Sequence, residues 1–117
     1  MTDNVVELVS SQQLQQILNP QSEVISFIDC YADWCGPCKA AFPMFRDFAN
    51  HHREFENIKF YKLNIDNPDP DLQQFCQNEQ IMYIPLFLIV EKGQVVHKEN
   101  NIRQLVSSFR IQEKQTV

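Results

Sequence analysis

Cys35-Gly36-Pro37-Cys38-Lys39 is the stretch of this chain best suited to chemistry. Two residues between cysteines at a helix start let their sulfurs meet within disulfide range. A helix start also offers backbone N–H groups without intrahelical partners and a partial positive charge, and both favour a thiolate. The thiolate is the nucleophile of disulfide exchange, and in Cys-X-X-Cys motifs the cysteine pKa falls well below its free value of about 8.5. Cys35, at the exposed edge, is expected to attack. Cys38, inside the first turn, is expected to be more buried and to act second. Gly36 lets backbone and substrate approach closely, and Pro37 sets φ at the first helical position and removes one donor. Asp29 ends an apolar run before the motif, where desolvation raises a carboxyl toward a useful base. The blander reading of Asp29 is a strand-end carboxylate in solvent. The competing reading of the cysteines is half a zinc site. Tetrahedral zinc wants a second pair of ligands. Cys30 and Cys76 form no second CxxC, and His51-His52 lies a full helix away, so no metal is expected.

These groups need a frame. Val24-Ile25-Ser26-Phe27-Ile28 is almost continuously apolar, the pattern of a strand buried on both faces. It leads through Asp29 to the motif, and a helix is expected from Pro37 to about His52, kinked at Pro43. Ahead of it, residues 5–9 read as a short strand. Ser10 stands three residues before Gln13, a capping-box spacing, so residues 11–18 read as a helix ended by Asn19-Pro20. Residues 58–65 are a third strand. Asp69 as N-cap and Pro70 at N1 start a short helix carrying Leu72, Phe75 and Cys76. Residues 86–90 are a fourth strand, turned by Glu91-Lys92-Gly93-Gln94 into a hairpin with residues 95–98. Ile102, Leu105, Val106 and Phe109 mark a last amphipathic helix. The alternation predicts an α/β fold with a central mixed sheet flanked by helices on both faces. His51-His52 reads as a solvated helix end, and His97 as an edge-strand residue with no evident partner.

The 117 residues suit one domain, 1–117, with frayed termini at 1–4 and 112–117. At 44% hydrophobic and 21% charged, the chain reads as a soluble globular protein. Its formal net charge of -5 argues against nucleic-acid binding, which calls for a basic surface. No apolar run approaches the roughly 20 residues that span a bilayer, so no membrane role is expected. Four cysteines are too few for a disulfide scaffold. The first residues lack an apolar leader, so a cytoplasmic protein with reduced cysteines is expected, in which a disulfide is transient and catalytic.

Asp29-Cys30-Tyr31-Ala32-Asp33-Trp34-Cys35-Gly36-Pro37-Cys38-Lys39 closely resembles the signature of the thioredoxin family. The resemblance continues at Tyr61-Lys62-Leu63-Asn64-Ile65-Asp66, at Ile84-Pro85 and at Lys92-Gly93, in the family's order. It implies the thioredoxin fold and a protein disulfide reductase with Cys35–Cys38 as its redox-active disulfide. Asp29 matches the family's buried aspartate, which takes or relays a proton for the second cysteine. Lys62 matches the lysine that pairs with that aspartate, its plain alternative being a surface lysine. Trp34 matches the tryptophan that flanks the site, against a plain core role. Ile84-Pro85 matches a cis peptide that lets residue 84 pair with an extended substrate and keeps metal off the thiols; the alternative is a trans proline at a strand start. No bound cofactor is implied. Electrons would come from NADPH through thioredoxin reductase, and clients would include peroxiredoxin, ribonucleotide reductase and methionine sulfoxide reductase, served by a monomer. A redox-gated protein-binding module using the same surface is the alternative function. The chain departs from the family pattern at Cys30, Met82-Tyr83 and Leu86, all expected to line the substrate groove, and lacks a glycine before the last helix. Cys30 and Cys76 themselves read as small buried hydrophobes.

Overall fold

The computed structural model describes residues 3–115, with side chains through Phe109. The apolar runs and caps become nine elements: β1 (Val6–Glu7), α1 (Ser11–Ile17), β2 (Ile25–Tyr31), α2 (Gly36–His51), β3 (Ile58–Asn64), α3 (Pro70–Asn78), β4 (Leu86–Glu91), β5 (Gln94–Glu99) and α4 (Ile102–Gln115). Local chemistry sets the boundaries. The Ser10 hydroxyl accepts from the Gln13 N–H at 3.2 Å while Gln13 Oε1 accepts from the Ser10 N–H at 3.1 Å, a reciprocal cap that starts α1. Asp69 Oδ1 accepts from the N–H groups of Asp71 and Leu72 and starts α3. Gly93 sits at a φ of +79° in the β4–β5 turn, and a Cβ there would collide with the Leu18 carbonyl. Glycine is thus required twice over, for the turn and for the close approach to the end of α1.

The strands order as β1-β3-β2-β4-β5. β1, β3 and β2 run parallel, and β4 and β5 are antiparallel to their neighbours. The period-two alternation of β2 divides the core. Ile28 and Cys30 join Leu14, Ile17, Leu72 and Phe75 under α1 and α3. Phe27 joins Phe45, Phe48, Phe60, Phe87 and Phe109 under α2 and α4. On that second face Phe27 stacks on Phe60 with centroids 5.0 Å apart and meets Phe109 edge-on at 5.2 Å. Asp29 follows Phe27 on this aromatic face, so the sheet delivers a carboxyl to the place where α2 begins.

Several expectations are corrected. β1 is shorter than residues 5–9, because Gln13 Oε1 takes the Val9 and Ser10 N–H groups for the cap. Asn4 is hydrogen-bonded to α2 through Asn50 and the Ala49 carbonyl, both at 2.8 Å. The last helix, α4, runs to Gln115. Residues 1, 2, 116 and 117 lie outside the described residues. His52 is no solvated helix end: it caps α2 as a buried ring among Phe48, Phe55 and Phe109, with Nδ1 2.9 Å from the Phe48 carbonyl. His51 is exposed. His97 has a neighbour two residues along its strand, with Nε2 3.9 Å from Glu99 Oε1. Among the described residues no helix is long and apolar enough to cross a membrane.

Candidate active site

The site begins where β2 stops. Cys35 is the N-cap of α2, with an extended φ of -90° and ψ of 104°, and its Sγ accepts from the Cys38 N–H at 3.2 Å. Cys35 and Cys38 are joined as a disulfide with Cα atoms 5.3 Å apart. That N–H and the helix start supply the electrostatics a thiolate at Cys35 requires. Gly36 occupies the first helical position, and a Cβ added to it would meet nothing within 4 Å. Pro37 therefore stands at the second helical position, not the first, where its missing N–H is still one the helix cannot use. Cys35 is also not at an exposed edge. It is 4% exposed against 3% for Cys38, because Ala32 packs beside the pair and Tyr31, Ile65 and Ile84 close over it.

Asp29 is 2% exposed and opens onto a cavity of about 240 Å³ that it shares with Cys38, Lys39, Phe42, Lys62 and Asp33. Its Oδ1 is buried, with no hydrogen-bond partner among the described residues. Burial pushes its carboxyl up to about 7; the Lys62 charge pulls it down and the Glu7 charge pushes it up further. A carboxyl near neutrality, in a cavity that Cys38 also lines, has the proton affinity of a general base.

Lys62 is the register partner of Asp29 on the adjacent strand, as a pairing lysine must be. Its ion pair within 4 Å, among the described residues, is nevertheless with Glu7, at 3.9 Å. Trp34 is 70% exposed beside the motif, with its indole N–H donating to Asp66 Oδ2 at 2.8 Å. It is therefore surface, not core. The Ile84-Pro85 peptide is cis, and Ile84 packs against the cysteine pair. Met82 and Tyr83 are strongly exposed. Cys30 and Leu86 do not line a groove: they are cross-strand partners that point to the aliphatic face and are fully buried there. Cys76 is half-buried, because it shares a helix face with Leu72 against the same core. Burial pushes the Cys30 thiol well up and the Cys76 thiol up. The residue that sequence reasoning missed is Glu7. A lone charge in an otherwise apolar strand, Val5-Val6-Glu7-Leu8-Val9, was its available signal.

A sheet of this order, four flanking helices and a Cys-X-X-Cys disulfide at a helix start define a thiol–disulfide oxidoreductase on the thioredoxin fold. The thioredoxin family model matches residues 4–110. A thioredoxin from Neurospora crassa is 36% identical over 96 residues, 82% of this chain and 71% of its own length. One from Mycoplasma genitalium is 34% identical over 89 residues, 76% of this chain and 78% of its own. The crystal structure of Trypanosoma brucei brucei thioredoxin aligns with a TM-score of 0.77 over 94% of this chain and 91% of that one, at 23% identity. This chain belongs to the thioredoxin family.

Proposed function

We propose that the chain is a general protein disulfide reductase. The observation that carries the reading is the Cys35–Cys38 disulfide at the start of α2, with Asp29 and Cys38 lining one cavity. In the reduced protein, the Cys35 thiolate attacks one sulfur of a client disulfide. A mixed disulfide forms, and the client's other sulfur leaves as a thiolate and is protonated from solvent. Cys38 gives its proton to Asp29, and the Cys38 thiolate attacks Cys35. The Cys35–client bond breaks, the Cys35–Cys38 bond forms, and two electrons have passed to the client. Asp29 then returns its proton to the departing client sulfur or to water. NADPH, through thioredoxin reductase, restores the dithiol; no bound cofactor takes part.

Trp34, Gly36, Pro37, Ile84 and Pro85 form the client-facing rim in this reading, with Ile84 pairing to an extended client segment. The exposure of Trp34, Met82 and Tyr83 around the pair supports docking there. Peroxiredoxin, ribonucleotide reductase and methionine sulfoxide reductase are the proposed clients. The cytoplasm is the proposed compartment, supported by the unpaired Cys30 and Cys76.

Insulin-disulfide reduction driven by dithiothreitol is the test. Cys35→Ser is expected to lower the rate to the reagent background; a rate equal to that of the wild type overturns the reading. Cys38→Ser is expected to retain clients as mixed disulfides released by reductant. The same exposed apolar rim also suits a redox-gated binding module, and a partner held without covalent attachment only in one redox state would favour that reading.

A further inference from the structure

Three adjacent strands place Glu7, Lys62 and Asp29 in one row: Glu7 is the register partner of Lys62, and Lys62 of Asp29. One ammonium thus stands between two carboxyls on the face that α2 covers. It does not sit evenly. Lys62 Nζ lies 3.9 Å from Glu7 Oε1, and 5.1 Å from the centre of the Phe42 ring from α2. The Tyr31 hydroxyl, two residues beyond Asp29 on the same strand face, donates to the same Glu7 oxygen at 2.6 Å. Glu7 Oε2 and Asp29 Oδ1 are both buried, with no hydrogen-bond partners among the described residues. A carboxylate with a buried, unpartnered oxygen is costly, so the ion pair with Lys62 and the Tyr31 hydrogen bond are what hold Glu7 in place.

We propose that Glu7 is a positioning residue of the site: it holds the Lys62 ammonium toward β1 and away from Asp29, and so governs the proton affinity of Asp29. Two effects act in the same direction. Glu7 draws toward β1 a cation whose charge favours the Asp29 carboxylate, so that its pull on Asp29 is weaker than an even placement would give, and the negative charge of Glu7 disfavours that carboxylate further. The other titratable groups lining the cavity with Asp29 are Tyr31 on β2, Asp33 after it, and Cys38 and Lys39 from α2. None of these is a register partner of Asp29 or Lys62, so Glu7 and Lys62 are the pair whose competition the sheet itself imposes. The consequence for disulfide exchange rests on the proposed role of Asp29 as proton acceptor for Cys38.

The test follows the Asp29 side-chain carboxyl by carbon-13 NMR across pH, in the disulfide form, where Cys35 and Cys38 do not titrate. Glu7→Gln is expected to lower the Asp29 midpoint by about one pH unit, since a like charge is removed and Lys62 is freed. Glu7→Asp, which keeps the charge, is expected to hold the midpoint near that of the wild type. Tyr31→Phe, which keeps the ring beside Lys62 and removes the hydroxyl that holds Glu7, is expected to move it in the same direction as Glu7→Gln and by less. An unchanged or raised midpoint in a folded Glu7→Gln protein overturns the proposal. If Glu7→Gln does not fold, an unchanged midpoint in Tyr31→Phe overturns it instead. The proton-acceptor role is judged separately: an Asp29→Asn protein that reduces insulin at the wild-type rate and pH profile removes that role, while the NMR midpoints still decide the coupling of Glu7, Lys62 and Asp29.

Discussion

The two faces of the sheet are built from the same strands and do opposite things. Under α1 and α3, Ile28 and Cys30 of β2 and Leu86, Leu88 and Val90 of β4 are buried, with Ser26 a buried hydroxyl at the start of the row. Under α2 and α4, the aromatic cluster ends at Phe27, and the next inward position is Asp29. Each face also holds thiols. Cys30 and Cys76 lie in an aliphatic setting that keeps them protonated, whereas Cys35 lies where a helix begins and receives an N–H from Cys38. Reactivity here depends on what a sulfur faces: two cysteines buried almost as completely as Cys30 are the reactive ones.

The sharpest way to break this contrast is by activity. Replacing Cys35 should abolish insulin reduction, while Cys30→Ala should leave it intact; loss in both would erase the distinction between faces. The next largest effect is on stability. Phe27→Ala empties the centre of the aromatic cluster and should cost about 3–5 kcal/mol in urea unfolding. A loss below about 1 kcal/mol would show that the cluster repacks without it.

Asp29→Asn has the opposite sign. Unfolded, Asp29 titrates near 3.8; folded, near about 7. Between those values the folded chain holds a proton that the unfolded chain has lost, so this group's contribution to stability falls as pH rises from about 4 to about 7 and is flat above. Asparagine has no proton to lose. The variant should match the wild type near pH 4 and exceed it above pH 7, by up to about 4 kcal/mol at about 1.4 kcal/mol per pH unit. Denaturation midpoints measured across that range check the slope, and parallel curves would remove the buried carboxyl from the account. The smallest effect belongs to Cys30→Ala, about 1 kcal/mol from lost packing. In the native wild type, Cys30 should resist iodoacetamide at neutral pH while reduced Cys35 is alkylated.

Much of this contrast was legible in the residues themselves. Continuous apolar runs marked β2 and β4, Ser10 and Asp69 marked helix starts, and the CGPC loop between strand and helix marked the chemistry. Asp29 was visible because it broke an apolar run. What could not be seen was lateral. Glu7 reaches Lys62 through the β1–β3 register, and no local pattern states which residues two distant strands will place side by side. The same holds for Leu86, whose side was decided by pairing with Cys30, and for His52, which looked like a polar helix end until α4 brought Phe109 across it.

The sheet also ends in a particular way on each side. β1 is two residues long, and β5 carries His97, Lys98 and Glu99 along its outer border, with Lys98 donating to the Glu79 carbonyl. Neither border offers a long, flat, uncharged row of backbone groups for another strand to extend. The sheet's two borders thus give a loose strand of another chain little to extend, which guards the folded protein against edge-to-edge aggregation.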